Sequence, residues 1–244
     1  MPPSVLEARS LGKDYGPVAA LRSLECAVRG GEIVGLLGPN GSGKTTTMKL
    51  FMGMLRPSRG SAIFEGLDCT TDARKVKERV GYMPDEPAFY DFLTGRETVD
   101  FVIQVRGLDP DATWEHLAPI VAQTDATDVL EASVGGYSHG MKKKLALLLA
   151  LLHRPSLLLL DEPTNGLDPP TAARVRTLLR GAADAGTAIV VSTHLLDMAD
   201  VLCDRVLVLH RGAIIAQGST AEVREHAGVG PDASLEDAFL KLVA

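Results

Sequence analysis

The sequence has few cysteines, no excess of basic residues and no long apolar segment, and each absence narrows the class of protein. Its three cysteines, Cys26, Cys69 and Cys203, lie far apart without the spacing of metal ligands, and they do not resemble a disulfide framework. A reducing cytoplasm is the compartment that fits best. The formal net charge of -6 offers no basic face to phosphates in bulk, so no nucleic-acid partner is expected.

Segments that could cross or enter a membrane are also lacking. The longest apolar run, Leu145 to Leu152, is too short to cross a bilayer, and the amino terminus lacks the basic-then-apolar order of a secretory signal. A membrane role would therefore depend on a partner. The 244 residues, 45% hydrophobic and 23% charged, show no internal repeat and predict one compound globular domain.

Apolar runs that precede helix-like stretches predict an α/β fold with a parallel sheet. The runs Ile33 to Leu37, Leu157 to Leu160 and Ala188 to Val191 are almost wholly apolar, and each is followed by a polar loop. Val5 to Arg9 and Leu24 to Val28 partly alternate apolar with polar residues, which predicts half-exposed strands.

Over residues 85–152 the sequence lacks strand patterns and instead contains residues that typically begin helices. Thr94 with Glu97 forms a capping box, and Asp109 and Ser138 are residues that open helices. We therefore predict a helical insertion between the strands. Beyond it, the sequence predicts a hairpin of Val206 to Leu209 and Ala213 to Gln217, and then a closing helix from Leu235 to Val243.

The segment Gly38-Pro39-Asn40-Gly41-Ser42-Gly43-Lys44-Thr45 satisfies the phosphate-loop pattern, with an apolar strand before it and helix-compatible residues after it. In such a loop, glycines let main-chain N–H groups converge on phosphate oxygens at a helix N-terminus. Lys44 is predicted to reach the terminal phosphates, and the Thr45 hydroxyl to ligate Mg²⁺. A glycine-rich turn is the structural alternative, and the motif alone also permits kinases and GTPases.

Two adjacent carboxylates, Asp161 and Glu162, follow the apolar run Leu157 to Leu160. Asp161 is the candidate ligand of Mg²⁺, and Glu162 is the candidate general base that polarises the attacking water. An acidic pair that caps a helix is the alternative. His194 follows the next apolar run and is a candidate to contact the γ-phosphate or to orient the water, unless it is an ordinary surface histidine.

Taken in order, these motifs resemble the nucleotide-binding subunit of ATP-binding-cassette (ABC) transporters, over nearly the whole chain. Asp161-Glu162-Pro163-Thr164 and Asn165-Gly166-Leu167-Asp168 match the second carboxylate motif and the inter-subunit loop of that family, and His194 matches its switch histidine. Tyr15 matches the aromatic residue that stacks on adenine, although a core or edge aromatic is the alternative. The resemblance implies that ATP contacts Tyr15, Gly38, Pro39, Asn40, Gly41, Ser42, Gly43, Lys44, Thr45 and Thr46.

The resemblance also implies the architecture. It predicts a P-loop NTPase core with a mainly parallel sheet, an N-terminal antiparallel β subdomain and an inserted α-helical subdomain, all within a single nucleotide-binding domain, 1–244. The catalytic core with its antiparallel part would comprise 1–84 and 153–219, the helical subdomain 85–152, and a helical tail 220–244.

Residues Tyr137 to Met141 take the place of the family's signature, usually Leu-Ser-Gly-Gly-Gln. Ser138 and Gly140 are retained, whereas His139 and Met141 depart from it. A helix N-terminus capped by serine suits a γ-phosphate presented by another subunit. The resemblance implies that two cassettes, of the same or different chains, enclose two ATP molecules head to tail, with the Asp168 loop between them.

Asp85 stands where the family normally has a glutamine that reports γ-phosphate and Mg²⁺ to the helical insertion. A carboxylate can also ligate Mg²⁺, but it donates no hydrogen bond at neutral pH. Asp85 therefore joins Thr45 and Asp161 as a candidate metal ligand. The neighbouring run Lys142, Lys143 and Lys144 is expected to form a solvated face rather than a second phosphate site.

The function that the resemblance implies is ATP hydrolysis that powers a separate membrane permease, at the inner face of the cell membrane. Asp85, the Ser-His-Gly-Met signature and the ending Ser234 to Leu240 are similar to exporter cassettes for drugs, ions or polysaccharides. The segment 86–97, with Phe89, Tyr90, Phe92 and Leu93, is the candidate surface for the permease; alternatively, these aromatics pack the insertion.

Two other functions stay open on the sequence. One is a soluble cassette ATPase that acts on ribosomes or DNA, although such relatives usually carry tandem cassettes or a long coiled coil. The other is a regulatory, poorly catalytic partner in an asymmetric pair, which Asp85, His139 and Met141 would fit.

Overall fold

A computed structural model describes residues 4–230 and 232–243, and in this part of the chain ten strands form one sheet. The strands are β1 Ser4–Tyr15, β2 Val18–Arg29, β3 Ile33–Leu37, β4 Arg59–Phe64, β5 Leu67–Asp68, β6 Val80–Met83, β7 Leu157–Asp161, β8 Ala188–Thr193, β9 Arg205–His210 and β10 Ala213–Gly218. The α-helices are α1 Lys44–Phe51, α2 Ala73–Arg79, α3 Gly95–Arg106, α4 Pro110–Thr124, α5 Thr127–Glu131, α6 His139–Leu151, α7 Pro169–Asp184, α8 Leu196–Leu202, α9 Thr220–Ala227 and α10 Leu235–Val243.

The strands lie in the order β5-β4-β1-β2-β10-β9-β3-β8-β7-β6. From β9 to β6 all neighbours are parallel, which confirms the mainly parallel core sheet. Leu37 pairs with Thr193, and Asp161 pairs with Ser192, so β3, β8 and β7 end level with one another. Because the carboxyl ends of parallel strands meet at one edge, the loops after these three strands form one site.

The first strands form the predicted antiparallel part, in which β1 pairs with β2 and β4, and β4 with β5. Strands β1 and β2 are longer than the segments Val5 to Arg9 and Leu24 to Val28 that the sequence predicts. Ser10, at φ 46°, lies at a register shift, and such a bulge interrupts the alternation that marks a strand. Strands β4, β5 and β6 were not predicted, because their apolar runs are too short to show a period.

The predicted helical insertion is confirmed, since α3 to α6 lie between β6 and β7. Thr94 and Glu97 form the expected capping box, and the side chains of Asp109 and Ser138 accept hydrogen bonds from the first turns of α4 and α6. The predicted hairpin is β9 with β10, and the closing helix is α10. Among the described residues, no helix is both long and apolar enough to span a bilayer.

Two apolar clusters cover opposite faces of the central strands. Leu158 and Leu160 pack against the insertion helices, whereas Leu157 and Leu159 pack against α1 and the antiparallel strands. This alternation follows from the period of two along a strand. Each buried leucine contributes about 2 kcal/mol relative to an exposed one. Burial on both sides therefore fixes the strand ends from which the site is built.

Candidate nucleotide-binding site

The phosphate loop joins β3 to α1, and its backbone needs glycine at particular positions. Gly43 has φ 110°, and a Cβ atom there would lie 2.5 Å from the carbonyl oxygen of Ala20. A Cβ on Gly38 would lie 2.3 Å from the carbonyl oxygen of Leu209. Gly43 precedes α1 without a side-chain cap, so the first N–H groups of this helix are free to bind an anion.

Lys44 is buried beside this loop, and its Nζ donates to the carbonyl oxygen of Gly38 at 2.7 Å. Burial lowers the pKa of its ammonium group. The carboxylates that oppose this shift are those of Glu162, Asp161 and Asp85. The buried Ser42 hydroxyl makes no hydrogen bond within the described residues. Free amides, an ammonium group and an unused hydroxyl together fit a triphosphate.

Asp161 ends β7 with its carboxylate fixed by two hydroxyl groups. Thr45 Oγ1 donates to Asp161 Oδ2 at 2.9 Å, and the Ser192 hydroxyl donates to Oδ1. Mg²⁺ in nucleotide sites is usually held by one or two protein oxygens together with phosphates and water. The donor set of Thr45 and Asp161 fits that ion.

Glu162 follows Asp161 with φ 50°, a left-handed conformation that is unfavourable for a residue with a Cβ atom. Its Oε2 accepts from Thr193 Oγ1 at 3.0 Å, and its Oε1 accepts from the main-chain nitrogen of His194 at 3.0 Å. The ring Nδ1 of His194 lies 2.7 Å from the same Oε1. The structure thus brings Glu162 and His194 together at the ends of β7 and β8.

The lysine run on α6 is not the uniform solvated face that the sequence predicts. Lys143 is 1% exposed and pairs with Asp85, so the prediction was wrong for this residue. Lys142 and Lys144 are half-buried, and Lys144 Nζ donates to the carbonyl oxygen of Asp125 at 2.7 Å. The reason is the helical period, which turns the middle lysine inward and its two neighbours toward solvent.

Lys143 is the site residue that the sequence reasoning missed. Its Nζ lies 2.9 Å from Asp85 Oδ1 and 2.9 Å from the carbonyl oxygen of Glu162. A pattern in the sequence could have found it, because Leu147 and Leu151 follow at helical spacing on the same buried stripe. Asp85 stays a predicted metal ligand, and in this structure its carboxylate binds Lys143.

Tyr15, the predicted adenine-stacking residue, ends β1 with 49% of its surface exposed. Lys13 Nζ lies 5.2 Å from the centre of its ring. The following strand β2 carries Ala20, whose carbonyl oxygen meets the phosphate loop at Gly43. The ring is therefore on the hairpin that borders the loop and has surface free for stacking.

The predicted signature residues lie at the exposed start of α6. Ser138 Oγ accepts a hydrogen bond from the main-chain nitrogen of Met141, at 3.3 Å. The ring of His139 lies against Gly166, where a Cβ atom would come within 2.4 Å of His139 Cδ2. Gly140 lies near the carbonyl oxygen of the same glycine. The predicted signature thus touches the predicted inter-subunit loop of its own chain.

Asp168 ends that loop and caps α7. Its Oδ1 accepts from the main-chain nitrogen of Thr171 at 2.9 Å, and its Oδ2 accepts from the Thr171 hydroxyl at 2.8 Å. No hydrogen bond among the described residues joins 138–140 to the phosphate loop, 38–46. The predicted site residues therefore form two groups, one at the strand ends and one around the tip of α6.

A phosphate loop, a buried lysine and two carboxylates at the ends of parallel strands define a P-loop protein that binds nucleoside triphosphates. The model of the ABC transporter family matches residues 21–165 of this chain, and the chain belongs to that family, as an ATP-binding subunit. The cassette fold that the sequence resemblance implies is confirmed.

Two curated relatives carry names that refer to multidrug transport and to drug resistance. The chain is 34% identical to the probable multidrug ABC transporter ATP-binding protein YbhF of Escherichia coli K12, over 98% of this chain and 42% of that protein. It is also 34% identical to the daunorubicin/doxorubicin resistance ATP-binding protein DrrA of Streptomyces peucetius, over 93% of this chain and 69% of that protein. The chain thus spans less than half the length of the Escherichia coli relative.

A solved structure described as the ATP-binding subunit of an ABC transporter superposes with a TM-score of 0.91. It is 30% identical in sequence and covers 98% of this chain, which covers 99% of that structure.

Proposed function

We propose that this chain binds and hydrolyses ATP and powers a separate membrane permease through ATP-driven dimerisation of two cassettes. The observation that carries the proposal is the meeting of the phosphate loop, the Asp161–Glu162 pair and His194 at the level ends of three parallel strands. The proposed phosphate-binding groups and the proposed base are therefore close enough to act on one nucleotide.

The phosphate loop is the proposed binding site for the phosphates of ATP. Main-chain N–H groups over 38–46 bind the phosphate oxygens, and the ammonium group of Lys44 exchanges the carbonyl oxygen of Gly38 for a terminal phosphate. Tyr15 stacks on the base. Because Lys44 is buried, its charge is weakly screened and acts strongly on the phosphates.

Thr45 and Asp161 are the proposed ligands of Mg²⁺, and Asp85 is a third candidate. When bound, this ion neutralises negative charge on the phosphate oxygens. The hydroxyl of Ser192 keeps the Asp161 carboxylate turned toward Thr45. Asp85 would have to share its carboxylate with Lys143 or release it in order to reach a metal.

Glu162 is the proposed general base. As the oxygen of a water molecule bonds to the γ-phosphorus, a Glu162 oxygen accepts a proton of that water, the bond from γ-phosphorus to the bridging oxygen breaks, and ADP and phosphate leave. His194 contacts Oε1 through its main-chain nitrogen and its ring, so it positions the carboxylate. Its proposed catalytic role is to contact the γ-phosphate or to orient the attacking water.

A second cassette completes the proposed site. Ser138, His139 and Gly140 of one chain face the γ-phosphate on the other, and the Asp168 loop lies between the two sites. The exposed start of α6 and its contact with Gly166 support this, since both motifs occupy one surface. The second cassette is either another copy of this chain or a different one.

The aromatic patch, which comprises Tyr90, Phe92 and Phe101, is the proposed docking surface for the permease. These side chains are 45 to 80% exposed, and Tyr90 lies 5.6 Å from Phe92 and 6.1 Å from Phe101 between ring centres. Exposed aromatic clusters commonly mark interaction sites. Phe89 and Leu93 are half-buried, and Phe89 packs against the core, as the packing alternative expects.

The proposed transport direction is export, because curated relatives are named for multidrug transport and daunorubicin/doxorubicin resistance. We propose that the chain lies at the inner face of the cell membrane, bound to its permease. The division into a core, 1–84 with 153–219, a helical subdomain, 85–152, and a tail, 220–244, is part of the same proposal.

The test is purification of the chain with its membrane partner, followed by measurement of ATP hydrolysis by the complex. Replacing both Tyr90 and Phe92 by serine is expected to reduce recovery of the complex at least about 10-fold, since buried aromatic anchors contribute roughly 2 kcal/mol or more each. Leu240→Ser is the matched control, because Leu240 on α10 is 57% exposed and Tyr90 is 56% exposed.

Undiminished co-purification of a folded double variant would remove the aromatic patch as the docking surface. A wild-type complex that binds ATP without hydrolysing it would instead indicate the regulatory, poorly catalytic partner.

A further inference from the structure

Lys143 is the most buried charged side chain of the described residues. Its ammonium group donates to Asp85 Oδ1 and to the carbonyl oxygen of Glu162, both at 2.9 Å, and lies 3.4 Å from the carbonyl oxygen of Asp161. An ammonium group has three donors, and here each one has an acceptor.

Burial of a charge is costly unless it is fully paired, so a satisfied buried lysine points to a specific arrangement. Lys143 connects three segments: the loop after β6, the end of β7 and the first turns of α6. The last of these begins with the signature residue Ser138. Lys142 and Lys144, on either side, do not make these contacts.

The carbonyl oxygen that Lys143 holds belongs to a residue in a strained conformation. Glu162, at φ 50°, has a backbone that costs on the order of 1–2 kcal/mol in a residue other than glycine. Thr193 and His194 fix its carboxylate, whereas Lys143 and the main-chain nitrogen of Asn165, at 3.2 Å, fix its carbonyl oxygen. The position of the base thus depends on contacts at both of its ends.

We propose that Lys143 is a positioning residue for hydrolysis, which ties Glu162 to the signature helix α6, and that Asp85 keeps its ammonium group in place. The inference rests on the proposed function. A shift of α6, produced when a second cassette contacts Ser138, reaches the main chain of Glu162 through the ammonium group of Lys143. Asp85 then affects turnover through Lys143 rather than as a ligand of Mg²⁺.

The first test compares Lys143→Met with Lys142→Met, which changes the adjacent, half-buried lysine in the same way. Misplacement of a reacting group by about 1 Å can lower a rate about 100-fold. We expect kcat of Lys143→Met to fall about 10- to 100-fold while its ATP dissociation constant stays within about threefold of wild type. The Lys142→Met control should keep both values.

A second readout needs no nucleotide. The N–H group of Asn165 bonds to the same carbonyl oxygen as Lys143, so hydrogen exchange at Asn165 should quicken in Lys143→Met and stay unchanged in Lys142→Met. Wild-type exchange at Asn165 in a folded Lys143→Met protein would contradict the proposed contact.

A double variant distinguishes positioning from general support of the fold. If Lys143 acts through Glu162, adding Lys143→Met to Glu162→Gln lowers the residual single-turnover rate no further. Losses that multiply would overturn the proposal.

Asp85→Asn keeps the test decisive if Lys143→Met does not fold, because Asp85 is only half-buried. We expect its kcat to fall while the Mg²⁺ concentration for half-maximal activity stays unchanged. A rise of about 10-fold or more in that concentration would make Asp85 a metal ligand and overturn its assigned role.

If the wild-type complex hydrolyses ATP and Glu162→Gln does not, wild-type turnover in Lys143→Met overturns the positioning role alone. If the wild-type complex does not hydrolyse ATP, the proposed function fails and the positioning role fails with it.

Discussion

Replacing Glu162 by glutamine changes the chemistry of the site and leaves its shape nearly intact. The two side chains have the same size, and the strained φ of 50° is no worse for glutamine than for glutamate. What glutamine lacks is the ability to accept a proton from water. The variant therefore separates the role of the base from the role of the side chain as a structural acceptor.

The magnitude of each effect follows from the hydrogen bonds of Glu162. Its carboxylate accepts from the main-chain nitrogen of His194 and from the Thr193 hydroxyl, both at 3.0 Å. Glutamine keeps an oxygen for His194 and offers its amide group to Thr193, whose hydroxyl can rotate and accept. The loss of stability is therefore that of about one hydrogen bond of a charged group, roughly 1.5–3 kcal/mol, with about 2–4 °C in melting temperature for each kcal/mol.

The loss of rate should be much larger. Removal of a positioned general base lowers kcat about 100- to 10,000-fold, which corresponds to roughly 3–5 kcal/mol of activation free energy. Because the phosphate loop is unchanged, ATP affinity should stay within about threefold of wild type. The variant should therefore bind MgATP and accumulate as an ATP-bound dimer.

The assay is single-turnover ATP hydrolysis by the complex, together with nucleotide titration and thermal unfolding of the chain. Glu115→Gln, an exposed change on α4, is the control and should match wild type in all three. Turnover in Glu162→Gln within about threefold of wild type would refute the assignment of Glu162 as the base.

Two further predictions concern Lys44 and His153. Lys44→Ala removes a buried ammonium group. Because hydrogen bonds of a charged group contribute about 1.5–3 kcal/mol, ATP affinity measured by titration should fall roughly 10- to 100-fold. Unchanged affinity would count against phosphate binding by Lys44. Burial, with Arg106 nearby, lowers the pKa of His153 from 6.5 to about 4. The His153 ring of the unfolded chain therefore binds a proton more readily than that of the folded chain. The free energy of unfolding consequently decreases as pH falls from 6.5 toward 4. When pH is lowered from 7 to 5, the free energy of unfolding should fall less in His153→Gln than in wild type. The expected difference is on the order of 1 kcal/mol, after allowance for the partial exposure of His153. Equal losses in the two proteins, measured by chemical unfolding, would contradict this prediction.

The meeting of side chains at the strand ends could be predicted from the sequence, because local pattern determines where those side chains lie. The central strands are continuous apolar runs, and Lys44, Asp161 and His194 follow directly in the loops beyond them. Since parallel strands end at one edge, their sequence positions suffice to bring these side chains together. The capping residues Thr94 and Ser138 were predicted for the same local reason.

The contact between Asp85 and Lys143 could not be predicted in the same way. The two residues are 58 positions apart, and they meet only because α6 packs against β6. The sequence shows three adjacent lysines with equal propensities, and burial of the middle one is a property of the packed helix. Phe89 and Phe92 differ for a similar reason: one packs against the core, whereas the other is 80% exposed.

A crystal structure of Glu162→Gln with ATP and Mg²⁺ tests the central claim most directly. We predict that the triphosphate lies on the main-chain N–H groups of 38–46 beside Lys44, with Ser138 of a second cassette at its γ-phosphate. A triphosphate bound away from this loop would contradict the account.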